Sequence, residues 1–260
     1  MKRRTLLGAA GGMAAAAALP RPAISAGTSV LKFIPQANLT LLDPITTTAA
    51  VTQNYAYYVW DTLYAVDEKL VPHPQMAAGH TVSSDQRTWT ITLRDGLKFH
   101  DGSPVRAADC IASIKRWASV DPFGEDLADA VDSYVAKSDK VFEVRLKKPF
   151  PLLNAALAKP ASNVPVIMPE HIASQPAAKA ITIDQVIGSG PCKFEASEYV
   201  SGSRAVFSKF DGYVPRSETP SWASGAKIVN FDRIEWHVIS DAGTAAAALQ
   251  SGEVDWWELV

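Results

Sequence analysis

The stretch FDRIEWHVISDAGTAAAALQSGEVDWW, residues 231–257, carries the pattern that decides the fold class. Apolar and polar residues alternate over 234–238, which is the period of a half-buried β-strand. The pair Ser240–Asp241 can cap a following helix, and Gly252 can end it. Residues 254–257 then begin another strand. The segment therefore predicts a β-α-β unit, with a parallel strand pair and a right-handed crossover.

The rest of the chain adds antiparallel strands, which makes the predicted sheet mixed and the fold class α/β. Trp89, Ile91 and Leu93 alternate with polar residues, and a tight-turn signal follows them. Further strands are predicted at 30–35 and 140–146, and a hairpin is predicted over 192–210. Helices are predicted over 48–64, with Val51, Tyr55, Val59 and Leu63 on one face, and over 107–118, with Lys115 and Arg116 facing solvent.

Residues 97–109, LKFHDGSPVRAAD, place a histidine beside an aspartate among turn-forming residues. The pair His100–Asp101 is either half of a catalytic pair or a corner between a strand and a helix. Asp101 can form an Asx-type turn, with Gly102 at positive φ. Catalysis would need a nucleophile and a third group, and the sequence offers neither. We therefore predict a structural corner.

Residues 1–26 have the layout of an export signal, with a basic head followed by an apolar stretch. That stretch, residues 6–19, has about 14 residues, fewer than the roughly 20 needed to span a bilayer. Arg3–Arg4 fits a twin-arginine signal, with a general secretory signal as the alternative, and cleavage is predicted near Ser25–Gly27. Without residues 1–26 the chain has 21 basic and 27 acidic residues, a formal charge of −6. This balance disfavours nucleic-acid and anionic-membrane partners.

Sequence motifs for metal, nucleotide or nucleophilic chemistry are not found. The five histidines are scattered, and GSGPCK at 188–193 has lysine where a dinucleotide-binding loop needs its third glycine. Cys110 is predicted to be a small apolar residue on a helix rather than half of a disulfide with Cys192. We predict no enzyme activity, no cofactor and no metal site.

Five blocks of the sequence occur in the order found in a known family. They are LLDP (41–44), LRDGLKFHDGSPVRAADC (93–110), PFPLLNAAL (149–157), GSGPCKF (188–194) and ALQSGEVD (248–255). On these blocks the chain resembles the family 5 extracellular solute-binding proteins of bacterial ABC importers, the group that includes oligopeptide, dipeptide and nickel binders. The chain departs from the family at Arg106, usually threonine, and at Cys192, usually tyrosine. Neither change alters the expected fold.

The resemblance implies a fold like that of the type II periplasmic binding proteins. Residues 27–260 would form the first lobe, a mixed-sheet lobe with an extra α/β subdomain inserted at about 70–185. Because family members are much longer, we expect a truncated chain that stops at the hinge, with the second lobe largely absent. One lobe alone should bind solute weakly, since it supplies only part of the contacts.

The resemblance also implies a function and partners. The chain would capture a small solute in the periplasm, with a peptide as the first choice, and deliver it to an ABC permease in the inner membrane. It would act as a monomer, without a nucleic-acid partner. The alternatives are a non-peptide solute (a metal chelate, sugar, opine or small aromatic compound), an exported enzyme on the same scaffold, and a fragment without function.

Two loops supply candidate ligand-binding residues by the same resemblance. The loop after the first strand faces the cleft in such folds, which nominates Gln36, Asn38 and Leu39, with a solvated loop as the alternative. Asn163 stands near the place where relatives turn a loop toward the ligand.

The last two candidates are Trp256 and Trp257, which lie where the chain would cross to the other lobe. Successive residues of a strand face opposite ways. One tryptophan is therefore predicted to line the cleft, and the other is predicted to pack in the core.

Overall fold

The computed structural model describes residues 29–259, so the predicted export signal at 1–26 lies outside the described residues. The strands in the described range are β1 Val30–Ile34, β2 Tyr64–Val66, β3 Pro72–Pro74, β4 Ala77–Val82, β5 Thr88–Leu93, β6 Val131–Ala136, β7 Val141–Leu146, β8 Cys192–Phe194, β9 Arg204–Lys209, β10 Arg233–His237 and β11 Trp256–Trp257. The α-helices there are α1 Ala50–Val59, α2 Ala107–Ala118, α3 Pro122–Ala130, α4 Leu153–Leu157, α5 Glu170–Ala173 and α6 Ala242–Ser251.

The main sheet has the strand order β11-β1-β10-β9-β8 and is mixed, as predicted. Strand β1 pairs in parallel with both β10 and β11, whereas β9 runs antiparallel to its neighbours β10 and β8. The prediction of a directly paired β10 and β11 is wrong, because β1 inserts between them. The local pattern gives the direction of the two strands. It does not reveal a third strand that comes from the other end of the chain.

Helix α6 covers one face of this sheet. Its cap is the one predicted: the Oδ1 of Asp241 accepts a hydrogen bond from the Thr244 N–H at 2.7 Å. Gly252 ends the helix at a φ of 73°, a conformation that favours glycine. Under the helix Ile34 packs in a small apolar cluster with residues of α6, while its neighbour Phe33 belongs to the large core on the opposite face. The period-two alternation of β1 thus separates the two cores.

The second sheet has the order β4-β5-β7-β6 and is antiparallel throughout. Trp89, Ile91 and Leu93 on β5 are buried, as their alternation predicted. Strand β4 carries Gly79 and His80, and it was not predicted because it lacks alternation. One apolar cluster runs through both sheets. The boundary of the inserted subdomain at about 70–185 stays a prediction.

Helix α1 is shorter than the predicted 48–64. It ends at Val59, because Trp60 takes an extended backbone. Leu63 is buried, but it lies outside the helix, just before strand β2. The reason is tertiary: the N–H of Gly190 donates to the carbonyl oxygen of Val59 at 2.9 Å, so a distant loop occupies the helix end.

The prediction that Arg116 faces solvent is wrong. Its side chain is 1% exposed and forms an ion pair with Asp43, whose side chain is 0% exposed. The guanidinium donates from Nη1 and Nη2 to the two carboxylate oxygens, at 3.1 and 2.6 Å. Asp43 also accepts from the N–H groups of Ile45 and Ile181, both at 3.0 Å. The pair therefore ties helix α2 to two loops that are distant in sequence.

The corner at His100–Asp101 has the predicted structural role. The Oδ1 of Asp101 accepts a hydrogen bond from the Ser103 N–H at 2.9 Å, and Gly102 has a φ of 88°. The loop that carries Gly188 and Gly190 holds the ring of His100. The Nε2 of His100 lies 3.0 Å from the Gly190 carbonyl oxygen, and the Gly188 N–H donates to its Nδ1 at 3.3 Å. These partners require a neutral ring, protonated on Nε2.

This neutral ring should make stability depend on pH. Burial lowers the pKa of His100 to about 4, whereas an unfolded histidine titrates near 6.5. The His100 contribution should be fully present above pH 6.5 and be lost as pH falls toward 4, at a total of about 3 kcal/mol. Urea unfolding at several pH values measures it, and His100→Gln should flatten the slope in this window. An unchanged slope in the variant would contradict the assignment.

The two cysteines are free and buried. Burial raises the pKa of the Cys192 thiol to about 12 and that of Cys110 still further. Both are therefore protonated and behave as small apolar side chains.

Over residues 29–259, none of the helices is long and apolar enough to cross a membrane.

Candidate functional site

A cavity of about 570 Å³ opens where the carboxyl ends of β1, β10 and β11 meet the outer side of α1. Because these strands are parallel, their ends lie at one edge of the sheet, the place where ligands bind in open α/β sheets. The aromatic residues of its wall are Phe33, Tyr57, Tyr58, Trp222, Trp236 and Trp256.

One wall is a stripe along helix α1. The buried face of the helix turns into the core, whereas Gln53, Asn54, Tyr57 and Tyr58 line the cavity. Two of these are fixed by the loop opposite: the Nε2 of Gln53 and the hydroxyl of Tyr57 both donate to the Pro160 carbonyl oxygen, at 2.8 and 3.0 Å. The wall is therefore held in place before any solute arrives.

The floor is a set of packed aromatic rings. Phe33 lies 4.8 Å from Trp256 and 5.5 Å from Trp236, measured between ring centroids. Tyr58 stacks on Phe207 at 5.3 Å. Burial, with smaller charge effects from neighbours, raises the pKa of Tyr58 to about 12, so its hydroxyl stays protonated. The floor presents apolar ring faces with few free polar atoms.

A lysine at the cavity edge is paired with a buried acid. The Nζ of Lys227 lies 2.8 Å from the Oδ1 of Asp61 and 5.4 Å from the centre of the Tyr57 ring. The other oxygen of Asp61 accepts from the Tyr213 hydroxyl at 2.9 Å. Burial, and then the Asp61 carboxylate, raise the pKa of Tyr213 far above its usual value. The cluster fixes the loop that carries Lys227 to the end of α1.

A glutamate lies at the opposite side of the cavity. The backbone N–H of Glu258 donates to the Ile34 carbonyl oxygen at 2.9 Å, which continues the pairing of β11 with β1. Its carboxylate accepts from the Asn54 side-chain amide and from the Gln36 N–H, both at 3.3 Å. In this way the loop after β1, helix α1 and the segment after β11 meet at one carboxylate.

The two predicted tryptophans face opposite ways. Trp256 is 53% exposed and lines the cavity. Trp257 packs with the cluster of Ile34 and Ala245 beneath helix α6. The arrangement has one ring toward the cavity and one toward a core. Contact between Trp256 and a solute stays a prediction.

The loop after β1 is divided between the cavity and the protein interior. Gln36 contacts the site through its backbone N–H, which donates to the carboxylate of Glu258. Asn38 instead accepts from the Gly202 N–H at 3.0 Å, and Leu39 is buried, with its carbonyl accepting from the Tyr199 hydroxyl at 2.5 Å. Asn38 therefore braces the turn at Gly202, Leu39 packs in the core, and neither lines this cavity.

Asn163 also lies outside the cavity. It has a φ of 54°, its Nδ2 donates to the Ile45 carbonyl oxygen at 2.6 Å, and its own carbonyl accepts from the Trp117 Nε1 at 2.5 Å. The residue pins its loop to helix α2 and to the loop before α1. A solute contact at Asn163 stays a prediction.

Sequence reasoning missed most of the polar residues that line the cavity: Gln53, Asn54, Lys227 and Glu258. A polar stripe on a helix is typical of a solvated face, so α1 gave no signal of its own. The pattern Trp256-x-Glu258 was readable, since residues two apart on a strand share a face. Within 29–259, no group of three or more His, Cys, Asp and Glu side chains is arranged to hold a metal ion.

Comparison with known proteins agrees with the fold. Residues 71–260 match the family model described as bacterial extracellular solute-binding proteins, family 5 Middle. A probable peptide ABC transporter periplasmic-binding protein, y4tO of Sinorhizobium fredii, is 41% identical over an alignment of 262 positions, which covers 98% of this chain and 48% of the relative. The glutathione-binding protein GsiB of Salmonella typhimurium is 31% identical over 222 residues, 83% of this chain and 39% of the relative.

Among solved structures, the binding protein AgaA of A. tumefaciens R10, in complex with agropinic acid, is 25% identical. It superposes with a TM-score of 0.67 over 88% of this chain and 43% of that chain. The chain thus spans less than half the length of these relatives. Their fold agrees with the predicted α/β class of periplasmic binding proteins, whose family members work outside the cytoplasm. The chain belongs to the bacterial extracellular solute-binding proteins of family 5.

Proposed function

We propose that this chain is a solute-contacting part of the substrate-binding component of an ABC importer. It captures a small solute, with a peptide as the first choice, and delivers it to a membrane permease. The observation that carries the proposal is the aromatic cavity at the carboxyl ends of three parallel strands. Preformed apolar crevices with a few fixed polar groups are typical of small-molecule sites. The peptide and glutathione binders among its relatives support the choice of peptide.

The proposal includes the location and organisation of the protein. The chain is exported by a twin-arginine signal within residues 1–26 and works in the periplasm as a monomer. Residues 27–260 form the first lobe, with the inserted subdomain at about 70–185. The proposal assigns no catalytic step to the chain, so a bound peptide is released without being cleaved.

Mass spectrometry tests the proposal directly. The protein is purified from its native host and its mass is measured by electrospray under native conditions. It is then denatured, and the released small molecules are identified. We expect one solute per protein, and a peptide in the first instance. Release of an opine, sugar or metal chelate would keep the receptor role and change the solute class. Cleavage of added peptides, or no bound or bindable solute, would overturn the proposed function.

A substitution at Trp256 should weaken binding without unfolding the chain. Trp256→Ala removes a ring that packs on Phe33 and is half exposed to the cavity, so the apparent Kd for the released solute should rise about tenfold. Isothermal titration measures it. Leu152→Ala is the matched control, because Leu152 is exposed and lies outside the cavity wall. Equal affinities of the two variants would contradict a role for Trp256.

A further inference from the structure

We infer that the cavity selects solutes that carry a cationic amine, and that Glu258 is the residue that contacts the amine. The inference rests on the proposed solute-binding function and specifies the chemistry of the same site. Its basis is the charge of the cavity wall. In the described part of the chain, the charged residues of that wall are Lys227 and Glu258.

The charge of Lys227 is already compensated. Its ammonium lies 2.8 Å from the carboxylate of Asp61, and the side chain of Asp61 is buried. A buried carboxylate needs this cation, since an unpaired charge in the interior is costly. Lys227 therefore serves the protein interior and adds little net attraction for an anionic solute.

The charge of Glu258 is different, because its partners are neutral. Within residues 29–259, its carboxylate accepts from the Asn54 amide and from the Gln36 N–H, at the long distance of 3.3 Å in both cases. A carboxylate has about four acceptor positions, so room remains for stronger donors. An ammonium group would form shorter, charge-assisted hydrogen bonds there.

The aromatic surroundings favour a cation for an independent reason. Trp256 shares the cavity-facing side of its strand with Glu258, and its ring packs against Phe33 at 4.8 Å. The faces of aromatic rings attract cations, and partial removal of water strengthens that attraction. Glu258 and the ring faces together disfavour an anionic group at this end. The solute class that fits is a primary or secondary amine, such as the amino end of a peptide.

The test compares two probes that differ in this charge. Ala-Phe has a cationic amino group, and N-acetyl-Ala-Phe does not. Titration calorimetry of the 260-residue chain at neutral pH should give a Kd for Ala-Phe that is about tenfold or more below that of the acetylated peptide. Glu258→Gln keeps the shape and one of the two neutral contacts but removes the charge, so the ratio should fall close to one. Glu253→Gln is the matched control, because Glu253 is exposed and outside the cavity wall, and it should keep the ratio.

Two results would overturn the inference while the proposed function stands: a ratio that survives in Glu258→Gln, or a co-purified solute that contains no amine. Failure of the wild-type chain to bind Ala-Phe at millimolar concentration would also overturn it. In that case the proposed function is tested separately, by whether mass spectrometry of the native protein detects a bound solute. Circular dichroism of each variant shows that a changed ratio does not come from unfolding.

Discussion

Replacing Arg116 by methionine should destabilise the fold by about 3–5 kcal/mol, the cost of leaving one partner of a buried ion pair uncompensated. The substitution leaves the carboxylate of Asp43 buried, with only the two loop N–H groups to satisfy it. Because most domains are stable by only about 5–15 kcal/mol, the loss is large. Urea unfolding followed by tryptophan fluorescence measures it. A loss below about 1 kcal/mol would contradict the role assigned to the pair.

Two controls separate the effect of burial from the effect of charge. Arg87→Met removes an arginine whose pair with Asp85 is about half exposed, and it should change stability by no more than about 0.5 kcal/mol. The double variant Asp43→Leu with Arg116→Met removes both buried charges. It should be more stable than Arg116→Met alone. Full recovery is not expected, because the N–H groups of Ile45 and Ile181 lose their acceptor.

Gly188→Ala should cost about 3 kcal/mol or more, because the new methyl group has no room. A Cβ at this position would lie 1.7 Å from the carbonyl oxygen of Val59 and 2.5 Å from its carbonyl carbon. These are backbone atoms at the end of α1, so relief requires the helix and the loop to move apart. That movement would break the Gly190 hydrogen bond to Val59 and loosen His100.

Thermal unfolding and soluble yield measure this prediction. The matched control is Gly79→Ala on strand β4, where no heavy atom lies within 4 Å of the added Cβ and φ is not positive. The control should be close to wild type. A Gly188→Ala variant with wild-type stability would mean that the loop and helix α1 are not in the close contact described.

The elements that sequence reasoning predicted well are those with local determinants. The alternation on β5 and β7, and the Asp241 cap and Gly252 end of α6, depend on residues within a few positions of one another. Local backbone geometry and capping then decide the structure, whatever packs against the element. The corner at His100–Asp101 was predicted for the same reason.

The candidate site was predicted only in part. The family resemblance nominated Trp256, whose ring lines the cavity, and Gln36, whose N–H bonds to the cavity residue Glu258. Their contact with a solute stays a prediction. Asn38 and Leu39 lie on the same loop as Gln36, but their side chains point away from the cavity. The side chain of Asn38 bonds to the Gly202 N–H, and that of Leu39 is buried in the core. The direction of a loop side chain depends on contacts with distant segments, so neither spacing nor composition reveals it.

By itself, the sequence determined the α/β class, the order of most elements and the family to which the chain belongs. Tertiary structure alone decided three further features: the insertion of β1 between β10 and β11, the burial of Arg116 with Asp43, and the meeting of Asn54 with Glu258. Each joins residues that lie far apart in the chain. The physical reason is that periodicity and capping act over one or two turns, whereas the partner of a buried charge and the neighbour of a strand are chosen by packing of the whole core.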